Sequence, residues 1–414
     1  MKRSIVLGVL ALAALVGRAE AQLTMQMSNG WSFSFSGNVN AFLTYESVSK
    51  SGQTPYGPGS PALVPDSANR FNQTRIQTGL LPAFAVFEAK GKEGNTDLVV
   101  HFGFAPQINC ASGVHDCFGA QIDMRQVYLT AGGKWGQILA GRELGLFLRQ
   151  NILTDQTLFG VGATGAAGPG TGGGTTLGRI GFGYIYPQFK AQFTYSTPGG
   201  KASQLSVGIF EAASNGPYFT TEIPRLEAEW VYNKKQIKGW LSGTVQTNKD
   251  TYDSGSQSAT AYGIGGGLRW QPKNFSVTGS GYYGKGIGTT LLFNAGVDVG
   301  GVADAGSDDL TKSWGYIGQV TWTPTNSKAT IAGSYGSSYI EDSNSGNTAN
   351  GGVVTKFDNT LISGGLYYQS TKSLKLVAEF DYTWSKEHFS GTGAPTAPNK
   401  NSSITPVLGV MLFF

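Results

Sequence analysis

In this chain of 414 residues only 14% are charged, against about 25% in ordinary soluble domains, while glycine supplies 61 residues and aromatics 12%. The length would suit two or three soluble domains, but one closed sheet in lipid absorbs it without a boundary, and few charges with many glycines and aromatics favour that sheet. Mean hydropathy is −0.13, and no run beyond the N-terminus approaches the roughly 18 apolar residues of a spanning helix, so a helical membrane protein is excluded.

Lys2 and Arg3 precede an apolar run from Ile5 to Val16, followed by Ala19-Glu20-Ala21 with small residues at the positions a signal peptidase reads. A signal peptide over 1–21 is expected, with residues 22–414 forming one exported barrel domain. A retained membrane anchor is the alternative, and the run is short for one. Cleavage removes three positive residues and one negative, lowering the formal charge from +4 to +2. No basic patch remains that would hold nucleic acid. Cys110 and Cys117 lie in a polar loop of an exported chain, where either a loop-stapling disulfide or two free thiols is compatible; the bridge is the favoured reading.

Downstream, stretches alternate with period two. Phe33, Phe35, Val39, Ala41, Leu43 and Tyr45 alternate with Ser32, Ser34, Ser36, Asn38, Asn40 and Thr44, with Phe42 out of phase. Leu226 to Tyr232 places Arg225, Glu227 and Glu229 on its polar side, and Leu374 to Trp384 does the same with Lys375, Glu379 and Asp381. One face suits lipid and the other water, the pattern of an antiparallel transmembrane β-barrel. The chain ends the same way, with apolar Ile404, Pro406, Leu408, Val410, Leu412 and Phe414 at alternate positions. This ending resembles the C-terminal strand of bacterial outer-membrane barrels, which close on Phe. Val410, Leu412 and Phe414 would then serve as the assembly signal, although Leu412 stands where an aromatic is usual and Pro406 where a branched residue is.

Short connections, such as Gly91–Asn95, Asn233–Gln236 and Pro324–Ser327, alternate with long ones, Ser47–Arg70, Glu143–Leu177, Gly286–Leu310, Glu341–Val354 and His388–Asn401. Short inner turns and long outer loops are the barrel topology, and an even strand number closes it. Sixteen strands are predicted if 178–197 is a single strand. Apolar residues there switch from even positions (Ile180, Phe182, Tyr184, Tyr186) to odd ones (Phe189, Ala191, Phe193, Tyr195), so a β-bulge at Pro187 is expected.

Arg125-Gln126-Val127-Tyr128-Leu129, then Gly132-Gly133-Lys134-Trp135-Gly136, then Ala140-Gly141-Arg142 resembles a region of the general Gram-negative porins. The resemblance spans about twenty residues and implies trimers in the cell outer membrane, passing small hydrophilic solutes and ions by passive diffusion. In that family the third loop folds inward, with arginines of the second, fourth and sixth strands facing acidic residues of the loop. Residue by residue this implies a constriction from Arg75, Arg125 and Arg179 on strands, Arg142 at the loop root, and Glu143 and Asp155 on the loop. Charges opposed in this way set a transverse field that orients solutes and selects ions. A substrate-specific channel and a plugged structural or adhesive barrel are the alternatives.

Other motifs fail on context. Gly160 to Gly165 fits G-x-G-x-x-G but lies in a Gly/Ala/Thr tract with no helix after it, and Gly286 stands where a P-loop needs Ser or Thr after Lys285. His101, His115 and His388 sit in separate segments without metal-ligand spacing, and no histidine lies beside a nucleophile and a carboxylate in catalytic register. No enzyme activity, metal or cofactor is expected.

Overall fold

The computed structural model describes residues 23–51, 70–106, 108, 122–164, 175–200, 202–213, 221–249, 258–293, 310–341, 348–349, 352–390 and 399–414. The predicted signal peptide and both cysteines lie outside them. Strands β1 (Leu23–Gln26), β2 (Ser32–Ser51), β3 (Arg70–Gln77), β4 (Phe84–Glu93), β5 (Thr96–Pro106), β6 (Ile122–Gly133) and β7 (Gly136–Leu144) come first. After the helix α1 (Arg149–Thr154) follow β8 (Phe189–Ser196), β9 (Ser203–Phe210), β10 (Arg225–Lys234), β11 (Ile237–Lys249), β12 (Ser258–Trp270) and β13 (Phe275–Lys285). The remainder are β14 (Lys312–Trp322), β15 (Ala329–Glu341), the two-residue β16 (Thr348–Ala349), β17 (Gly352–Gln369), β18 (Leu374–Ser390) and β19 (Asn399–Phe413).

Each long strand pairs antiparallel with its sequence neighbours, and β19 returns to β2, with Leu412 opposite Val39 and Lys400 opposite Ser51. The result is a closed barrel of sixteen strands, with β3 and β4 acting as two halves of one strand: β3 pairs with the upper part of β2 and β4 with the lower part. Between the halves, Pro82 lacks an N–H for the ladder and the chain turns inward. Asn40 holds this break, donating to the Leu81 carbonyl at 2.9 Å and accepting from the Gly79 N–H at 3.0 Å.

Alternation gives the barrel its two surfaces. Val39, Leu43, Leu408 and Leu412 are 46–63% exposed on the outside, while Asn40, Thr44 and Glu46 between them are buried inside. Phe42, out of phase in the sequence, points inward and is fully buried. It fits because Gly409 lies opposite: a Cβ there would approach the Phe42 ring to 2.1 Å. The terminal Phe414 exchanges backbone hydrogen bonds with Gly37 at 2.8 and 3.0 Å and sets its ring 5.2 Å from Phe35. Pro406 interrupts the ladder to β2, whose register passes from Ile404 directly to Val407.

Two expectations are corrected here. Residues 178–197 are not one bulged strand: β8 begins only at Phe189, and Leu177–Gln188 belongs to the segment leading from α1. Pro187 closes that segment, and the change of apolar parity marks two different structures in place of a bulge. Sixteen is reached nonetheless. The tall side of the barrel also extends into expected loops, since β17 starts at Gly352 and β18 continues to Ser390.

Candidate functional site

The segment between β7 and β8 begins and ends at one point, where the Gly145 N–H donates to the Gln188 carbonyl at 2.8 Å. It enters through apolar Leu146, Phe147 and Leu148, all fully buried, forms α1, and then a 3-10 turn over Gln156–Phe159. Asp155 caps that turn, accepting from the Thr157 N–H at 2.9 Å. Such a short helix has little stability of its own and is held by what it touches.

What it touches is the inward row of one strand after another. On β10, Glu227 accepts from the Leu146 and Phe147 N–H groups at 2.6 and 2.9 Å, and Glu229 pairs with Arg149 at 2.5 Å. On β11, Trp240 donates its indole N–H to Asn151 at 2.8 Å. Arg269 of β12 and Gln319 of β14 both donate to the Thr154 carbonyl, at 2.6 and 3.1 Å. Glu379 of β18 accepts from the Val161 and Gly162 N–H groups at 2.8 and 2.7 Å, and Thr164 donates to Glu46 of β2 at 2.8 Å. Backbone groups away from water need such partners, and carboxylates are strong ones.

Arg179 lies on the returning part and is fully buried. It donates to the Leu361 carbonyl of β17 at 3.0 Å and to the Ser334 hydroxyl of β15. Tyr184 then donates to Asp155 at 2.8 Å, tying the two limbs together. Burial and the Asp155 carboxylate both keep the Tyr184 hydroxyl protonated, well above its ordinary range, so it remains a donor.

The sequence-derived candidates therefore separate. Arg75 faces inward opposite Thr44, with Glu46 next along the same row. Arg125 is the extra residue of a bulge in β6, because Gly103 pairs with Gln126 while Phe104 pairs with Met124. It is bound to Asp123 at 2.7 Å and lies 5.9 Å from the Phe189 ring. Glu143 faces inward and accepts from Gln126 at 2.7 Å. Arg142 shares the outward parity of the lipid-facing Ile138 and pairs with Ala191, so it is placed on the outer wall at the root. Asp155 and Arg179 lie within electrostatic reach of each other, and Arg125, Arg142 and Glu143 each act on Tyr186. Missed by the residue reading were Glu227, Glu229 and Glu379, polar-face residues whose partners lie too far along the chain for spacing to suggest them. Charge runs both ways between wall and segment: Glu227, Glu229 and Glu379 of the wall hold a segment that carries Arg149 and Arg179, while Arg269 of the wall reaches the segment at Thr154, beside Asp155.

Comparison with known proteins rests on shape. No family model and no curated protein matches the chain. The crystal structure of the outer membrane channel DcaP of Acinetobacter baumannii matches over 94% of this chain and 99% of its own, with a TM-score of 0.62 at 13% identity. The chain has the fold of outer-membrane porins. An anion-selective porin from Comamonas acidovorans covers 93% of this chain and 100% of its own at 12% identity, TM-score 0.57, and Salmonella typhi OmpF, solved with daunomycin, covers 94% and 100% at 11%, TM-score 0.54.

Proposed function

We propose that the protein is an outer-membrane channel passing small hydrophilic solutes and ions by passive diffusion, narrowed by the segment between β7 and β8. The observation that carries this reading is the pairing of an apolar outer face with a polar inner one around sixteen strands, together with hydrogen bonds from one inner segment to β10, β14, β15 and β18. Arg75, Glu143, Asp155, Arg179 and the carboxylates of β10 and β18 are the side chains that would shape the field at the narrowest level. Export by the predicted signal peptide and assembly as a homotrimer belong to the same reading; a trimer form is known of Vibrio cholerae OmpT, a structural neighbour. Planar-bilayer recording should give stepwise conductance, and insertion without conductance defeats the proposal.

One observation favours a closed barrel instead. The interior holds an apolar cluster in which Phe147, Leu148 and Ile152 meet Ile287 and Phe293 of the segment after β13. Liposome swelling with sugars of graded size separates the two, since a closed barrel admits none of them.

A further inference from the structure

Arg225 opens β10 on the same inward parity as Glu227 and is fully enclosed. Its Nε, Nη1 and Nη2 have no hydrogen-bond acceptor among the described residues. Glu227 stands 3.0 Å from Nε but out of line for a hydrogen bond, and its other oxygen is taken by the Leu146 and Phe147 N–H groups. A guanidinium carries five donors in a rigid fork, and burying them unmet is costly.

Rings stand where acceptors are missing. Phe210 and Phe293 have their centroids 5.5 and 5.7 Å from the guanidinium carbon. Phe210 ends β9, whereas Phe293 lies on a segment, 286–293, that follows β13 and folds inward to set its ring against Arg225. The root of that segment is firmly seated. A Cβ on Gly263 of β12 or Gly284 of β13 would come within 3.0 or 2.4 Å of Ile287, and the Gly286 N–H donates to the Thr311 carbonyl at 2.8 Å. The tip is held less well. Phe293 has a left-handed backbone, φ 57°, which is strained for a bulky side chain, and its N–H reaches the Ile287 carbonyl at 3.2 Å.

We propose that Arg225 is a concealed docking point for the carboxylate of an apolar monocarboxylic acid, and that the Phe293 ring holds the place such a solute takes. The fork matches a planar carboxylate through two parallel hydrogen bonds. Glu227 repels any anion that binds beside it and repels a dianion twice as strongly, which favours a single carboxylate over phosphate. Phe210 stays as one wall for the apolar body of the solute, and the cluster that joins Phe293 to Phe147, Leu148 and Ile287 supplies the rest once the ring withdraws. Release of the strained Phe293 backbone offsets part of the cost of opening. The inference rests on the channel reading for the route by which a solute reaches Arg225.

The test is isothermal titration calorimetry of the full-length protein in detergent, with benzoate as the probe and benzamide and inorganic phosphate beside it. The wild type should bind benzoate alone. Phe293→Gly removes the ring and suits the left-handed backbone, so it should tighten benzoate at least about fivefold as the share of open molecules rises. Arg225→Gln should weaken it at least about tenfold, the scale of losing hydrogen bonds to a charged group. If that variant fails to fold, Arg225→Lys replaces it, keeping the charge and losing the fork, and should also bind more weakly. Absence of benzoate binding in both the wild type and Phe293→Gly overturns the proposal, as does equal binding of benzamide or phosphate. Unchanged affinity in Phe293→Gly or in a folded Arg225 variant overturns it too. A protein that binds benzoate as expected but conducts nothing supports this proposal and sinks only the channel reading, while conductance without benzoate binding does the reverse.

Discussion

The two sides of the barrel differ in height. Strands β7, β8, β9 and β10 have 9, 8, 8 and 10 residues, whereas β17, β18, β19 and β2 have 18, 17, 15 and 20. A tilted strand needs about 9–11 residues to cross the hydrocarbon layer, so the short wall ends near the membrane surface. There the inner segment can leave β7 and rejoin at β8. The tall wall continues past the membrane, and on its inner face the Leu361 carbonyl of β17 receives Arg179. The short wall organises the interior, and the tall wall presents a second surface to lipid and solvent.

The most severe break should come from Glu227→Ala on the short wall. Glu227 is fully enclosed, accepts two N–H groups of the segment, and sits 3.0 Å from the equally buried Arg225. Removing one member of a buried pair costs about 3–5 kcal/mol, which thermal unfolding of the purified barrel would register as a clear fall in melting temperature. On the tall wall, Glu379→Gln should cost about 1–3 kcal/mol, because the Val161 and Gly162 N–H groups lose a charged acceptor. Noisier, larger single-channel currents should accompany it; wild-type currents would show that this anchor does not position the narrowing. Ser334→Ala removes only one acceptor of Arg179, leaving the Leu361 carbonyl, and should cost about 1 kcal/mol. The smallest effect belongs to Arg142→Gln. Its outward parity predicts an unchanged reversal potential, whereas Arg75→Gln, facing inward, should move it; equal shifts would contradict the assignment of faces.

Much of the wall was legible in the residues. Val39, Leu43 and Tyr45, or Leu408 and Leu412, repeat every second position, and that period is a local consequence of strand geometry. Phe42 broke the pattern in the sequence and is the residue whose reason appears only across the barrel, at Gly409. The candidate site was less legible. Arg125 and Arg142 lie seventeen residues apart on paired strands, yet a bulge beside Gly103 and the simple parity of β7 send them to different surroundings. The carboxylates that hold the segment were visible as polar-face residues, without any sign of their partners.

The residues by themselves determined the sheet, its two faces and the alternation of short turns with long connections, because each depends on neighbours a few positions away. Tertiary structure decided the path of the inner segment, the loss of 178–188 from the wall, and which charges meet. Those depend on contacts such as Val161 with Glu379, 218 positions apart, and only closure of the barrel brings such residues within hydrogen-bond reach.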